Sequence, residues 1–189
     1  MAYVNAYDVI GTPDINSVVA AGSIGDPTGI SELPSAQMAT KLGSIITAQD
    51  QSTGLEAKFI FLSVPVNTTI TVGLLYQFDK NFNVVVVPAG GTSKNTGVQV
   101  VAAYTGVTSN ASTVQFAWFL YQGEVAVLKT AVTVSPQSPV YISATAGRVK
   151  VLASAGQQIL GARTQNTATV TSTTSTVLVY LGPSSLEGD

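Results

Sequence analysis

From Ala57 onward the hydrophobic positions of this chain recur with a period of two. Ile70, Val72, Leu74, Tyr76 and Phe78 alternate with Thr69, Thr71, Gly73 and Gln77, the pattern of a strand with one buried face. Asp79-Lys80-Asn81 has turn composition, and the chain returns over Asn83 to Val87, so 68–87 is predicted as a hairpin. Pro88-Ala89-Gly90-Gly91 ends it. Val98, Val100, Ala102 and Tyr104 alternate again, and Val114, Phe116, Trp118 and Leu120 form the most aromatic strand. Gln122-Gly123-Glu124 is expected to break that strand, with Val125 to Val134 continuing after it. Shorter runs follow at Pro139 to Ala144, Val149 to Leu152, Ile159 to Arg163 and Val177 to Leu181. Thr167 to Thr176 is rich in β-branched threonine and reads as a polar strand or a surface loop. About ten short strands, with turn signals every 8–12 residues or so, predict an all-β fold: one β-sandwich or barrel-like domain.

Residues 1–56 are patterned differently. They carry Pro13, Pro27 and Pro34, a strong turn at Gly25-Asp26-Pro27-Thr28-Gly29, and few long apolar patterns. Asp14 is placed to cap a helical turn over Ile15 to Ala21, and Ser35 one over Ala36 to Leu42. The expected division is an extended N-terminal arm with short helical turns over 1–56 and a β-body over 57–189. Charge supports it: Asp8, Asp14, Asp26, Glu32, Asp50 and Glu56 face a single base, Lys41, in the first part.

Composition narrows the function. Charged residues make up 10% of the chain and hydrophobic ones 46%, against about 25% charged in an average soluble domain. The polar share is instead short, neutral and hydroxyl-rich, a surface suited to burial against other subunits. There is no Cys and no His, which removes disulfides, thiolates, the commonest general base and the commonest transition-metal ligand. A net charge of −2 argues against nucleic-acid binding through a basic face. The apolar runs are strand-length, shorter than the roughly 18 residues of a spanning helix, so no membrane partner is expected. The first residues lack a positively charged signal-peptide start, and folding in the cytoplasm is expected.

No motif gathers into catalytic chemistry. Ser23, in Ala21-Gly-Ser-Ile-Gly25, is close to a nucleophile elbow, but no histidine exists to serve it. The N-terminal acids match no calcium loop, and Gly90-Gly-Thr-Ser-Lys94 has the wrong order for a phosphate loop. No catalytic residue, cofactor or metal is therefore expected. Phe116, Trp118, Phe119 and Tyr121 share one strand and so point to both of its faces. One face is core; the other, with Phe119 and Tyr121, needs a second layer, a neighbour or a ligand to cover it. Arg148, Lys150 and Arg163 read as strand-edge charges or as partners for an acidic surface.

The stretch from Phe116 to Leu181 runs from the aromatic strand around Trp118 through a turn at Gly123 to Val125-Ala-Val127. Pro139-Val-Tyr-Ile-Ser-Ala-Thr-Ala-Gly147-Arg-Val and Gly156-Gln-Gln-Ile-Leu-Gly-Ala-Arg163 follow, and a hydrophobic strand precedes Gly182-Pro183. That order resembles head cement and decoration proteins of tailed bacteriophages; the resemblance covers about a third of the chain and lies in order and style, not in a chemical motif. It implies a non-enzymatic subunit on the capsid exterior, assembled in the host cytoplasm, that binds the major capsid protein lattice and itself as a homotrimer. Contact residues expected on that reading are Tyr3, Tyr7 and Ile10 as buried anchors, with Phe119, Tyr121, Arg148 and Arg163. Two other classes stand beside it: a head-fibre or tail-associated domain with glycan affinity, and a hydrolase using carboxylates alone.

Overall fold

The computed structural model describes residues 3–5, 14–21, 40–90, 98–109 and 111–187. These residues hold fourteen strands and no helix. In chain order they are β1 (Tyr3–Asn5), β2 (Val18–Ala20), β3 (Ile45–Asp50), β4 (Glu56–Val64), β5 (Thr69–Ile70), β6 (Leu75–Phe78) and β7 (Val84–Val86). They continue with β8 (Val100–Ala103), β9 (Val107–Thr108), β10 (Gln115–Leu128), β11 (Pro139–Ile142), β12 (Val149–Lys150), β13 (Gln158–Thr164) and β14 (Thr176–Leu186). The named strands pair antiparallel throughout, in the path β1-β3-β4-β10-β14-β13-β11-β12, with β2 and β8 also on β10 and β6–β7 reached through β8. β5 and β9 form a separate two-stranded ribbon. This is the all-β, sandwich-like domain that the period-two pattern predicts.

The fold turns on β10. Its first half pairs with β4 through Gln115↔Val64 to Gln122↔Lys58, and its second half with β14 through Gly123↔Leu181 to Leu128↔Thr176. The strand therefore does not break at Gln122-Gly123-Glu124, as its composition suggests; it shifts register between Leu120 and Gln122 and changes partner. Gly123 makes this feasible. Its φ is +134°, and a Cβ there would lie 2.6 Å from the Cβ of Ala57, so only glycine fits the crossing.

β10 belongs to a first sheet with β4, β3, β1, β8, β6 and β7, and to a second with β14, β13, β11 and β12. The larger core lies on one side of each and contains Phe59, Phe61, Phe116, Trp118, Val127, Val140, Ile159 and Val179. A second cluster covers the other side of the first sheet: Ile60, Leu62, Ala117 and Phe119 pack with Tyr76, Ile70 and Val107. Over Phe59 to Val64 of β4 and Phe116 to Leu120 of β10, successive residues thus alternate between two cores, and these segments are buried on both faces, as continuous apolar runs are in covered sheets. The face carrying Phe119 is covered by a second layer of the same chain.

Three expectations change. The 69–78 strand is split at Gly73 (φ +81°): β5 pairs with β9 and β6 with β7 and β8. The predicted hairpin survives as β6–β7, with Phe78↔Val84 flanking the Asp79 turn. The helical turn over Ile15 to Ala21 is instead an Asx-type turn followed by β2: Asn16 N donates to Asp14 Oδ1 (2.9 Å) and Ser17 N to Asp14 O (3.0 Å). Asp14 caps as expected, but it caps a turn. Finally, the described parts of 1–56 are not an arm beside the body. β3 lies between β1 and β4, and β2 pairs with β10, so they are strands of the main sheet. Most of the Ala36 to Leu42 turn lies outside the described residues.

Candidate functional site: the two outer faces

Three ionisable side chains, Asp50, Asp79 and Lys129, serve the protein's own backbone. Asp50 is fully buried; its Oδ1 accepts from Ser52 Oγ, Ser52 N and Thr53 N, and the Ser52 hydroxyl foremost holds its pKa below the usual carboxylate value. Asp79 does the same for the β6–β7 turn, accepting from Asn83 N (2.9 Å) and Asn81 N (2.8 Å), which lowers its pKa. Lys129 is 2% exposed. Its Nζ donates to Val132 O at 2.8 Å and Thr130 O at 3.4 Å, and burial lowers its pKa. Among the described residues no three His, Cys, Asp or Glu side chains converge on a point that could hold a metal, and no helix is long and apolar enough to cross a membrane.

The clefts follow suit. One of about 390 Å³ is lined by Tyr3, Asn16, Tyr104, Ala126 and a single carboxylate, Glu124. Another, of about 530 Å³, is lined by hydroxyls of Thr133, Ser135, Ser138 and Ser172 over Val132 and Leu152. Neither presents a pair of acids among its lining residues, the arrangement that carboxylate hydrolysis needs.

The expected contact residues divide. Tyr3 is 2% exposed and belongs to this chain's own core. Its hydroxyl donates to Glu124 O (2.8 Å), its N–H donates to Tyr104 Oη (2.8 Å), and its ring meets Phe59 and Tyr104 edge-on at 5.6 and 5.8 Å. Burial raises its pKa to about 12. Phe119, 1% exposed, is equally enclosed, against Tyr76 at 5.8 Å. Neither has surface left for another subunit; both are corrected to core residues, because β1 joins the sheet and a second layer covers β10. Tyr7 and Ile10 lie outside the described residues. Tyr121, Arg148 and Arg163 do reach the surface.

Two outer faces emerge. On the first sheet, Tyr121 is half-buried at the margin of the second core, and Ile45 (50% exposed), Val18 (40%) and Val4 (37%) lie on that same side by strand alternation. On the second sheet, Arg163 stacks over Tyr180 at 5.5 Å from the ring centre. Gln122 Nε2 donates to Tyr180 Oη at 3.3 Å, and Tyr141 stands opposite Lys150. Sequence patterning missed Tyr180 and Tyr141 because each lies in a short run otherwise read as core. The strict alternation Val177, Val179, Leu181 against Leu178, Tyr180 was the available signal. Trp118, the obvious stacking ring, is 1% exposed and packs on Phe61 at 5.0 Å.

No family model, curated protein or solved structure matches this chain.

Proposed function

We propose that this chain is a non-enzymatic virion subunit, a head cement or decoration protein of a tailed bacteriophage that binds the assembled lattice of the major capsid protein. The observation that carries the reading is a set of exposed apolar side chains at the margins of the first sheet, around its second core. Val4, Val18, Ile45 and Tyr121 stand there in a chain with 10% charged residues. Exposed aliphatic side chains around an aromatic edge, with Glu56 and Lys58 of β4 exposed among them, favour a standing partner surface. The carboxylates of Asp50 and Asp79 are tied into turns of this chain. Affinity for an assembled lattice over loose capsid subunits stabilises the lattice by mass action. The resemblance of Phe116 to Leu181 to phage cement proteins points the same way.

The test is to purify particles of the phage that encodes the chain and locate this polypeptide by mass spectrometry and cryo-electron microscopy. It is expected on the shell exterior, with Ile45 and Val18 against the capsid protein. Ile45→Asp is expected to reduce addition to stripped shells at least about tenfold, as a charge buried at an interface core does. Particles without this polypeptide would overturn the proposal.

A further inference from the structure

We infer that the outer face of the second sheet pairs with a second copy of this chain about a two-fold axis parallel to its strands. The residues that decide this form one row across four strands. Pro139 on β11 stands opposite Arg163 on β13, Arg163 opposite Tyr180 on β14, and Tyr180 opposite Glu124 on β10. Their chain neighbours Val140, Ala162, Val179 and Val125 are all buried in the inter-sheet core, so the row itself points outward.

The row is electrostatically polar. Arg163 and Glu124 flank Tyr180 at one strand spacing each, about 4.8 Å. Arg148 and Lys150, at the β12 edge of the same face, add charge to the basic side. A two-fold axis lying between two such faces, along β14, reverses the row. Each Arg163 then sits over the partner copy's Glu124, with Tyr180 on Tyr180 at the centre. A two-fold axis along the row would instead place cation over cation. An edge-to-edge ring would leave the row uncovered, because its side chains stand off the face of the sheet and not along its edge. Face-to-face packing of aligned sheets is an established geometry, and an interface sharing one patch on both partners is the commonest way identical chains associate. Tyr and Arg at the centre of the patch are the residue types that dominate interface energetics.

This inference is independent of the virion reading, since it concerns the purified chain alone. The experiment is sedimentation velocity across a concentration series on the wild type, Arg163→Glu, Glu124→Arg and the double exchange. The wild type is expected to dimerise. Each single reversal is expected to weaken the dimer at least about tenfold, and the double exchange to restore it to within a few-fold of wild type. Raising salt should weaken the wild-type dimer, because the pairs lie at a surface. Arg163 is exposed, so its reversal leaves the fold intact. Should Glu124→Arg fail to fold, Glu124→Gln replaces it and is expected to weaken the dimer in the same direction. A wild type that stays monomeric, an Arg163→Glu chain that pairs as tightly as wild type, a folded double exchange that regains nothing, or a trimer indifferent to these charges would each overturn the inference.

Discussion

Lys129 shows what a single residue can reveal here. Its ammonium is enclosed with two backbone carbonyls, and burial alone accounts for the lowering of its pKa. A buried cation without a carboxylate costs stability that the carbonyls only partly offset. Lys129→Met is therefore expected to match or exceed the wild type in urea midpoint. The pH dependence has a definite sign. With the folded pKa below the 10.5 of an unshifted lysine, the unfolded chain binds more protons in the window between the two values. Wild-type stability should thus rise with pH through that window, and the methionine variant should lose the rise. Tyr3 works in the opposite sense. Its pKa is raised from 10.0 to about 12, so its contribution is complete below pH 10 and is lost as pH climbs through about 12. Tyr3→Phe removes the donor to Glu124 O and should cost about 1 kcal/mol at neutral pH. It should also flatten the alkaline decline, which a pH series of thermal melts would reveal.

At the scale of elements, β10 decides whether the two sheets form one body. Its register shift and change of partner depend on Gly123, held at φ +134° with Ala57 directly beside it. Gly123→Ala combines a disfavoured backbone region with a steric overlap, each worth roughly 1–3 kcal/mol. Adding Ala57→Gly removes the overlap and leaves the backbone strain. The double variant should therefore recover part of the loss and not all of it, measured by urea unfolding. Full recovery would mean the φ requirement is unimportant. The same crossing explains why a turn-like tripeptide sits inside a fourteen-residue strand: local composition marks the bend, and pairing on both sides keeps the strand continuous.

Across the whole molecule, the N-terminal strands matter for stability as much as for contact. β1, the turn before β2, and β3 bring Tyr3, Ile15 and Ala48 into the main core. Each large apolar side chain buried contributes about 1.5–3 kcal/mol, against a total stability of about 5–15 kcal/mol for a typical domain. Deleting residues 1–50 would also expose the β4 edge to pairing with other chains. The truncated chain is expected to aggregate or to lose its cooperative melt by circular dichroism. A soluble chain melting at the wild-type temperature would show that these strands are dispensable.

Much of this protein was legible in its sequence, because strand alternation is a local consequence of the pleat. The β-class, the β6–β7 hairpin around Asp79 and the two-sided aromatic strand all follow from period-two patterning. That the chain has no histidine or cysteine side chain is a matter of composition alone. Tertiary structure decided what no local pattern carries. It determined that Phe119 and Tyr3 are enclosed by this chain, that β10 passes unbroken between two sheets, and that 1–56 contributes strands. It also set Glu124, Tyr180 and Arg163 in one row from strands far apart in the chain. The reason is physical: alternation specifies that a side chain faces one way or the other, while long-range pairing alone specifies which neighbour lies on that side.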